Sequence, residues 1–355
     1  MRLAKSLEPH LKRLVLRTLA QRGNTLIEPV DASSVSRVLI YRPQRFGDML
    51  ATLPILRALR KACPAWHLAL WTSAQGRELI QPEAVVDEIR LLSGRTYDRL
   101  RSDRSPMFDL VIDLVPHDSV NALLACASAA RGGILAGFGK DAFSAYYDWA
   151  RPYSSPDLYA PLAGLGVLKL LGVPPRDAEF GLHYLRSETA FAAQTLGRDG
   201  RAIAINLSAR HAWPALHWGP LLDHLAERFD APVLINAVGR DRGAAVELAR
   251  TRSRRVRLLP EKATFREVAC LVSQVMLLVS PDTSLIHVAA AAGVPTVGLF
   301  PKRHDFRLCW IPPGDHVRIV SASLPDTLSD ISAGQVGLAV DALFAAQPAG
   351  SGSGP

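Results

Sequence analysis

Residues 280–293 read "SPDTSLIHVAAAAG", inside an apolar region whose only ionisable residues between Gln274 and Phe300 are Asp282 and His287. About 20 apolar residues can cross a bilayer, so a membrane span is one reading. The local punctuation argues against it. "VMLLVS" (275–280) is a short run of the kind a buried strand gives, and Pro281 ends it. Asp282, Thr283 and Ser284 are all good helix N-caps. "LIHVAAAA" is a helix former, with Gly293 placed as a C-cap glycine and Pro295 just beyond. "TVGLF" (296–300) reads as a further short strand. The stretch is therefore strand, polar turn, helix, strand: one buried piece of an α/β sheet. Its polar turn faces the C-terminal end of a strand, where open α/β sheets bind ligands.

The same alternation runs through the chain. "RVLIY" (37–41), "WHLALWT" (66–72), "VVDEIRLL" (85–92) and "FDLVIDLV" (108–115) are or contain strand signals. "LATLPILRALRKACP" and "SVNALLACASAA" are helical, and Pro54 is expected near the first turn of its helix, where proline is tolerated. A Pro-rich connection is expected from Tyr146 to Pro161, then a helix over 160–173. The pattern then restarts with strands at 202–208 and 232–238 and helices at 218–229, 239–250 and 264–274. Alternation of this kind means parallel, helix-covered sheets. Four segments are expected: a basic amphipathic extension (1–35), two α/β domains (36–180 and 181–346) facing each other across a cleft, and a flexible tail (347–355).

The 355 residues carry 41 Lys or Arg against 33 Asp or Glu, a net charge of +8. Acidic partners fit this balance: phosphates, a nucleotide or anionic lipid, with no nucleic acid expected. Residues 1–30 hold six of the basic and two of the acidic residues. Leu3, Leu7, Leu11, Leu14 and Val15 recur there at helical spacing, with Lys5, Lys12, Arg13, Arg17 and Arg22 largely on other faces. Such an arm can lie on an anionic membrane surface; alternatively it packs on its own domain or is disordered. It is no secretory signal, because its longest clean apolar run is Leu14 to Leu16. Four scattered cysteines show no disulfide or zinc spacing.

Four strand-end constellations can carry chemistry. In "RPQRFGDML" (42–50), Arg45 and Gly47 lie in a loop and Asp48 at the mouth of a helix. Asp48 is either an N-cap carboxylate or a general base for an attacking hydroxyl. In "SPDTSLIH", Thr283 and Ser284 offer hydroxyls and helix-start N–H groups to a diphosphate, with Asp282 and His287 at the same mouth. The bland alternative is a capped helix with a satisfied core histidine. In "NLSARHAWPALHW" (206–218), Arg210, His211 and His217 can neutralise phosphate charge, or the loop is solvated and its tryptophans fill an interdomain groove. In "AVGRDRGAAVE" (237–247), Asp241 and Glu247 are candidates for ribose hydroxyls or simple helix-surface charges. Asp109 and Asp113 in "DLVID" are poorly spaced for one divalent ion, so no metal site is expected.

Taken together, these motifs resemble family 9 glycosyltransferases, the bacterial heptosyltransferases. "RVLIYRPQRFGDMLATLPILRALRKACP" is similar to their N-terminal signature, "FDLVIDL" to their next strand, and "SPDTSLIHVAAAAGVPTVGLF" to their donor-site signature, usually Asp-Thr-Gly-Leu-x-His. The resemblance runs from about Arg37 to Phe344. It implies the GT-B fold of two Rossmann-like domains. It implies inverting transfer of a sugar from a nucleotide diphosphate sugar, typically ADP-heptose, to the inner core of lipopolysaccharide at the cytoplasmic face of the inner membrane. No metal or other cofactor is implied. By the same resemblance Asp48 matches the catalytic base, Thr283, Ser284 and His287 the diphosphate-binding turn, and Asp282 the acid heading it. Three departures stand out. Ser284 replaces the motif's glycine. The family's lysine before its "xW" falls at His211 or Leu216, so Arg210, His211 or His217 would replace its charge. The basic extension before Arg37 is longer than usual. Alternatives are a protein, capsule or O-chain acceptor, or a nucleotide-sugar-binding module without turnover.

Overall fold

The computed structural model describes residues 19–345 except 28, 93–107, 131, 153–158, 176–178, 198–199, 253–254 and 303–309. The chain divides into two compact units, Met1–Phe180 and Gly181–Pro355.

Unit 1 is built on strands β1 (Arg37–Arg42), β2 (His67–Thr72), β3 (Glu88–Leu91), β4 (Leu110–Asp113), β5 (Ile134–Phe138) and β6 (Trp149–Arg151). They form one sheet in the order β3-β2-β1-β4-β5-β6, with every pair parallel. Apart from their first residues β1 and β2 are wholly buried, as expected of a parallel sheet covered on both faces. The covering helices are α1 (Phe46–Ala62), α2 (Ala74–Ile80), α3 (Val120–Ala129) and α4 (Ala160–Gly164). Helix α1 buries Met49, Leu53, Leu56 and Leu59, a three-to-four-residue spacing that makes one apolar stripe. Asp48 in its first turn and Arg60 and Lys61 in its last complement the helix dipole.

Three details differ from the sequence reading. Helix α1 begins at Phe46, so Pro54 stands in its interior rather than its first turn. Strand β5 lies in a run the periodicity passed over, and β6 lies inside the expected Pro-rich connection. Three residues are too few to show a period; pairing with β5 makes β6 a strand. Close packing here needs glycine, since a Cβ on Gly137 would stand 2.7 Å from the Tyr147 ring.

Residues 1–18 of the expected basic arm lie outside the described residues. Arg22, assigned to that arm's basic face, packs on the first domain, the alternative the sequence also allowed. It pairs with Asp148 at 2.5 Å and donates to the carbonyls of Gly133 and Ala130. The backbone N–H groups of Gly23, Asn24 and Leu26 bond to Ala145, Tyr147 and Asp148 carbonyls.

Unit 2 repeats the plan with β7 (Ile203–Asn206), β8 (Val233–Asn236), β9 (Val256–Leu258), β10 (Leu277–Pro281), β11 (Thr296–Lys302) and β12 (Val317–Pro325). Their order is β12-β11-β10-β7-β8-β9. Its helices are α5 (Arg186–Leu196), α6 (Ala215–Arg228), α7 (Arg242–Thr251), α8 (Phe265–Val272), α9 (Ser284–Ala291) and α10 (Ala333–Ala345). Counted from its own first strand, each sheet has the order 3-2-1-4-5-6. The direction of winding reverses between β1 and β4, and again between β7 and β10. Those reversals open the crevices in which doubly wound sheets hold ligands.

Residues 280–293 fold as their punctuation suggests: β10 ends at Pro281, α9 follows, and Gly293 adopts φ 72° just after it. No described helix is long and apolar enough to cross a membrane. Trp213 and Trp218 are core residues of unit 2, packed edge to face at 4.8 Å, not the lining of a groove.

Candidate functional site

In unit 1 the site begins where β1 ends. Arg42 is the last strand residue, and three residues later α1 starts with Phe46, Gly47 and Asp48. Asp48 is thus the third helical residue, not the N-cap. Its Oδ2 accepts from the backbone N–H of the N-cap Arg45 at 3.3 Å, and its Oδ1 accepts from Arg42 Nη2 at 2.8 Å. The Arg42 side chain is 4% exposed and that of Asp48 22% exposed. A buried guanidinium therefore holds a carboxylate that still reaches solvent. Gly47 lies in the first helical turn, and the Arg45 side chain is exposed.

The two aspartates of "DLVID" are spent on other partners. Asp109 accepts from the Ser36 N–H, the Ser36 hydroxyl and the Arg37 N–H. Asp113 lies 3.0 Å from Lys140 Nζ and accepts from the Tyr147 hydroxyl at 2.7 Å. Among the described residues there is no group of three or more acidic, His or Cys side chains that could hold a metal ion.

In unit 2 the polar turn of 280–284 meets two residues the sequence reading did not single out, Asn206 and Asn236. They are the last residues of β7 and β8 and stand opposite each other in the sheet. Asn236 Nδ2 donates to Asn206 Oδ1 at 2.8 Å. Asn206 Nδ2 lies 3.1 Å from Ser280 Oγ, 3.3 Å from Thr283 Oγ1 and 3.2 Å from the Ser208 carbonyl. A signal was present: "AIAIN" and "VLIN" are apolar runs that each end in asparagine. Polar residues ending two buried strands mark the sheet's ligand-facing edge.

Thr283 is the N-cap of α9, with extended φ −142° and ψ 167°, yet its side chain makes no capping bond. It turns instead to Ser280 Oγ at 3.0 Å. The first-turn N–H groups of Ser284 and Leu285 have no partner among the described residues. Free N–H groups at a helix start form an anion site. His287, on the first turn, is 9% exposed and packs against Trp310 at 5.6 Å.

The remaining candidates separate. His211 donates from Nδ1 to the Asp326 carbonyl at 2.8 Å. Arg210 is exposed and has no polar partner among the described residues. His217 stacks on Trp213 at 5.3 Å and belongs to the packing of α6. Asp241 lies just before α7 and after β8, 3.6 Å from Arg240. Glu247 lies farther along α7, on its exposed face, where hydrogen bonds from Arg250 lower its pKa. The structure does not bring Glu247 to the strand-end cluster.

The model for glycosyltransferase family 9 (heptosyltransferase) matches residues 106–327, more than half the chain. The chain belongs to glycosyltransferase family 9. This family 9 glycosyltransferase is similar to lipopolysaccharide heptosyltransferase 3 of Escherichia coli K12, with 23% identity over 279 residues, 72% of this chain and 79% of that protein. Its fold is that of solved heptosyltransferases. A family 9 glycosyl transferase from Veillonella parvula superposes with a TM-score of 0.70 at 18% identity, covering 88% of this chain and 98% of the other. The E. coli heptosyltransferase WaaC, solved with ADP, gives 0.67 at 21% identity, covering 86% and 99%. The GT-B expectation therefore holds: two parallel six-stranded sheets, each covered by helices.

Proposed function

We propose that this glycosyltransferase transfers heptose, with inversion, from ADP-heptose to a lipopolysaccharide-core glycan. One observation carries the reading within the family. At the winding reversal of each sheet stands the chemistry such a transfer needs: a solvent-reaching carboxylate, Asp48, in unit 1, and an uncapped helix start beside Thr283 in unit 2. Asp48 takes the proton of the acceptor hydroxyl as that oxygen attacks the anomeric carbon. The bond from that carbon to the diphosphate oxygen breaks. The departing charge is met by the N–H groups of Ser284 and Leu285, the α9 dipole and the Thr283 hydroxyl, with Arg210, four residues after Asn206, as a cation that has no polar partner among the described residues. Of the two acidic candidates for ribose, Asp241 has the strand-end position and Glu247 does not. A relative solved with ADP supports the donor class.

One observation favours a module that binds without turnover. His211 stands at one of the two positions where the family carries lysine, and its Nδ1 is committed to the Asp326 carbonyl. Incubation with ADP-heptose, with and without excess EDTA, separates the readings. Slow release of ADP, unchanged by EDTA, is expected of the metal-independent transferase. A thermal shift without release would identify a binding module. Loss of release in EDTA, restored by magnesium or manganese, would show a metal site.

The basic arm is proposed to hold the enzyme at an anionic inner-membrane surface on the cytoplasmic side. Residues 1–18 carry five Lys or Arg and one Glu, and each basic residue near such a surface contributes about 1 kcal/mol, fading with salt. Deleting residues 1–18 should lower co-sedimentation with anionic liposomes, most clearly at low salt. The melting temperature should hold, because Arg22 and its bonds to unit 1 remain. Undiminished co-sedimentation would remove the arm from membrane binding. Deletion to residue 27 is a poor test, since it also removes Arg22.

A further inference from the structure

Carbonyl acceptors fix the direction of several hydrogen bonds around Thr283. The Ser208 and Pro281 carbonyls can only accept. The side of the Asn206 amide facing Ser208, Ser280 and Thr283 is therefore its NH2, and its Oδ1 faces Asn236, which donates to it. The single Ser280 proton goes to the Pro281 carbonyl at 2.7 Å. The two amide protons are shared among three acceptors, the Ser208 carbonyl, Ser280 Oγ and Thr283 Oγ1, so both hydroxyl oxygens lie on the accepting side of the Asn206 amide. The Thr283 proton is left with two destinations: Ser280 Oγ at 3.0 Å, or a group outside the cluster. A hydroxyl has one proton and two lone pairs. With one lone pair facing Asn206, the Thr283 proton passes from Ser280 Oγ to a phosphate oxygen placed nearby, because a charge-assisted bond is stronger than the neutral one it replaces.

We propose that Asn206, locked by Asn236, is a positioning residue that fixes the polarity of the Thr283 hydroxyl, so that the turn before α9 presents a proton to a diphosphate oxygen. This rests on the donor-site reading above and adds to it how the turn selects its ligand. A phosphate oxygen at neutral pH is an acceptor and carries charge, so it matches the one proton that Thr283 has to give. The same arrangement explains why Thr283 stands at an N-cap without capping. Its oxygen would otherwise accept from the helix N–H groups; the Asn206 amide holds it away and leaves those groups to the ligand. Asn206 is 2% exposed, so a ligand does not displace its bonds.

The test measures ADP and adenosine affinity of the full chain by calorimetry for wild type, Asn206→Leu, Asn236→Leu, Thr283→Val and the double variant Asn206→Leu/Thr283→Val. Loss of one hydrogen bond to a charged group corresponds to about tenfold in affinity or somewhat more. Asn206→Leu and Thr283→Val should each weaken ADP about tenfold and leave adenosine unchanged, and the double variant should bind ADP as Thr283→Val does. Asn236→Leu frees the Asn206 amide to rotate without touching Thr283, and should weaken ADP by a smaller factor. It carries the test if Asn206→Leu does not fold. Thr283→Val binding ADP as wild type does would overturn the donor-site reading and this inference together. Thr283→Val weakened, with both asparagine variants unchanged, would overturn the inference alone. So would a full additive loss in the double variant, or an equal loss of adenosine affinity, either of which would give Asn206 a general packing role.

Discussion

Asp48→Asn is expected to lower turnover by about 10²–10⁴-fold, the usual cost of losing a general base, while ADP affinity stays within a few-fold. The two quantities separate because, in the proposed mechanism, the carboxylate acts on the acceptor hydroxyl and the diphosphate is held by unit 2. Asparagine keeps the shape and can still accept from the Arg45 N–H, so the start of α1 survives. It cannot take up a proton at neutral pH. It also leaves the buried Arg42 guanidinium without its carboxylate partner. Each assay therefore needs a parallel melting curve, since a drop in folded fraction would lower turnover and ADP binding together. Steady-state transfer to a soluble acceptor fragment and calorimetry with ADP decide the matter. Wild-type turnover in Asp48→Asn would reduce the carboxylate to a structural partner of Arg45 and Arg42.

Much of the framework was legible because it rests on local signals. A parallel strand covered on both faces reads as a continuous apolar run, which is why β1, β2, β4, β7 and β10 stand out. The turn before α9 stands out because Pro281 and three N-cap residues follow such a run. What escaped depends on tertiary pairing. Strand β6 has three residues and no period of its own, so β5 defines it. Asn206 and Asn236 are ordinary asparagines in sequence; their role appears when the sheet sets β7 beside both β8 and β10. Arg22 read as one more cation of a basic arm. Its partner Asp148 is distant in the chain, and no periodicity can announce such a pair. Glu247 read equally as a ribose candidate and as a helix-surface charge; its exposed place on α7, bonded to Arg250, is the second of these.

The largest effect on stability is expected at the other aspartate of a strand end. Asp113 and Lys140 have side chains that are 0% exposed and 3.0 Å apart. Lys140 Nζ also donates to the Val115 carbonyl at 2.6 Å and the His117 carbonyl at 3.1 Å, so its three protons are all spent. Asp113 accepts from the Val115 N–H and from Tyr147. Burial, with Asp113 beside it, pushes the Tyr147 phenol up, so it remains a donor throughout the working pH range. Removing one member of a buried pair leaves an uncompensated charge, at a cost of about 3–5 kcal/mol. Asp113→Leu should therefore lower the melting temperature by roughly 6–20 °C, taking about 2–4 °C per kcal/mol for a unit of this size. The double variant Asp113→Leu/Lys140→Met should recover part of that loss, because two desolvated ions have been replaced by apolar groups. The recovery is incomplete because the Tyr147 hydroxyl and the Val115 N–H lose their acceptor and the Val115 and His117 carbonyls a donor, at about 1–3 kcal/mol for each that stays buried and unsatisfied. A double variant as unstable as the sum of the two single changes would show no coupling between the two groups and overturn the pair reading. Recovery places the pair's value elsewhere: the ammonium gathers two loop carbonyls at the end of β4, the strand beside β1, where the sheet's winding reverses and the helix that carries Asp48 begins.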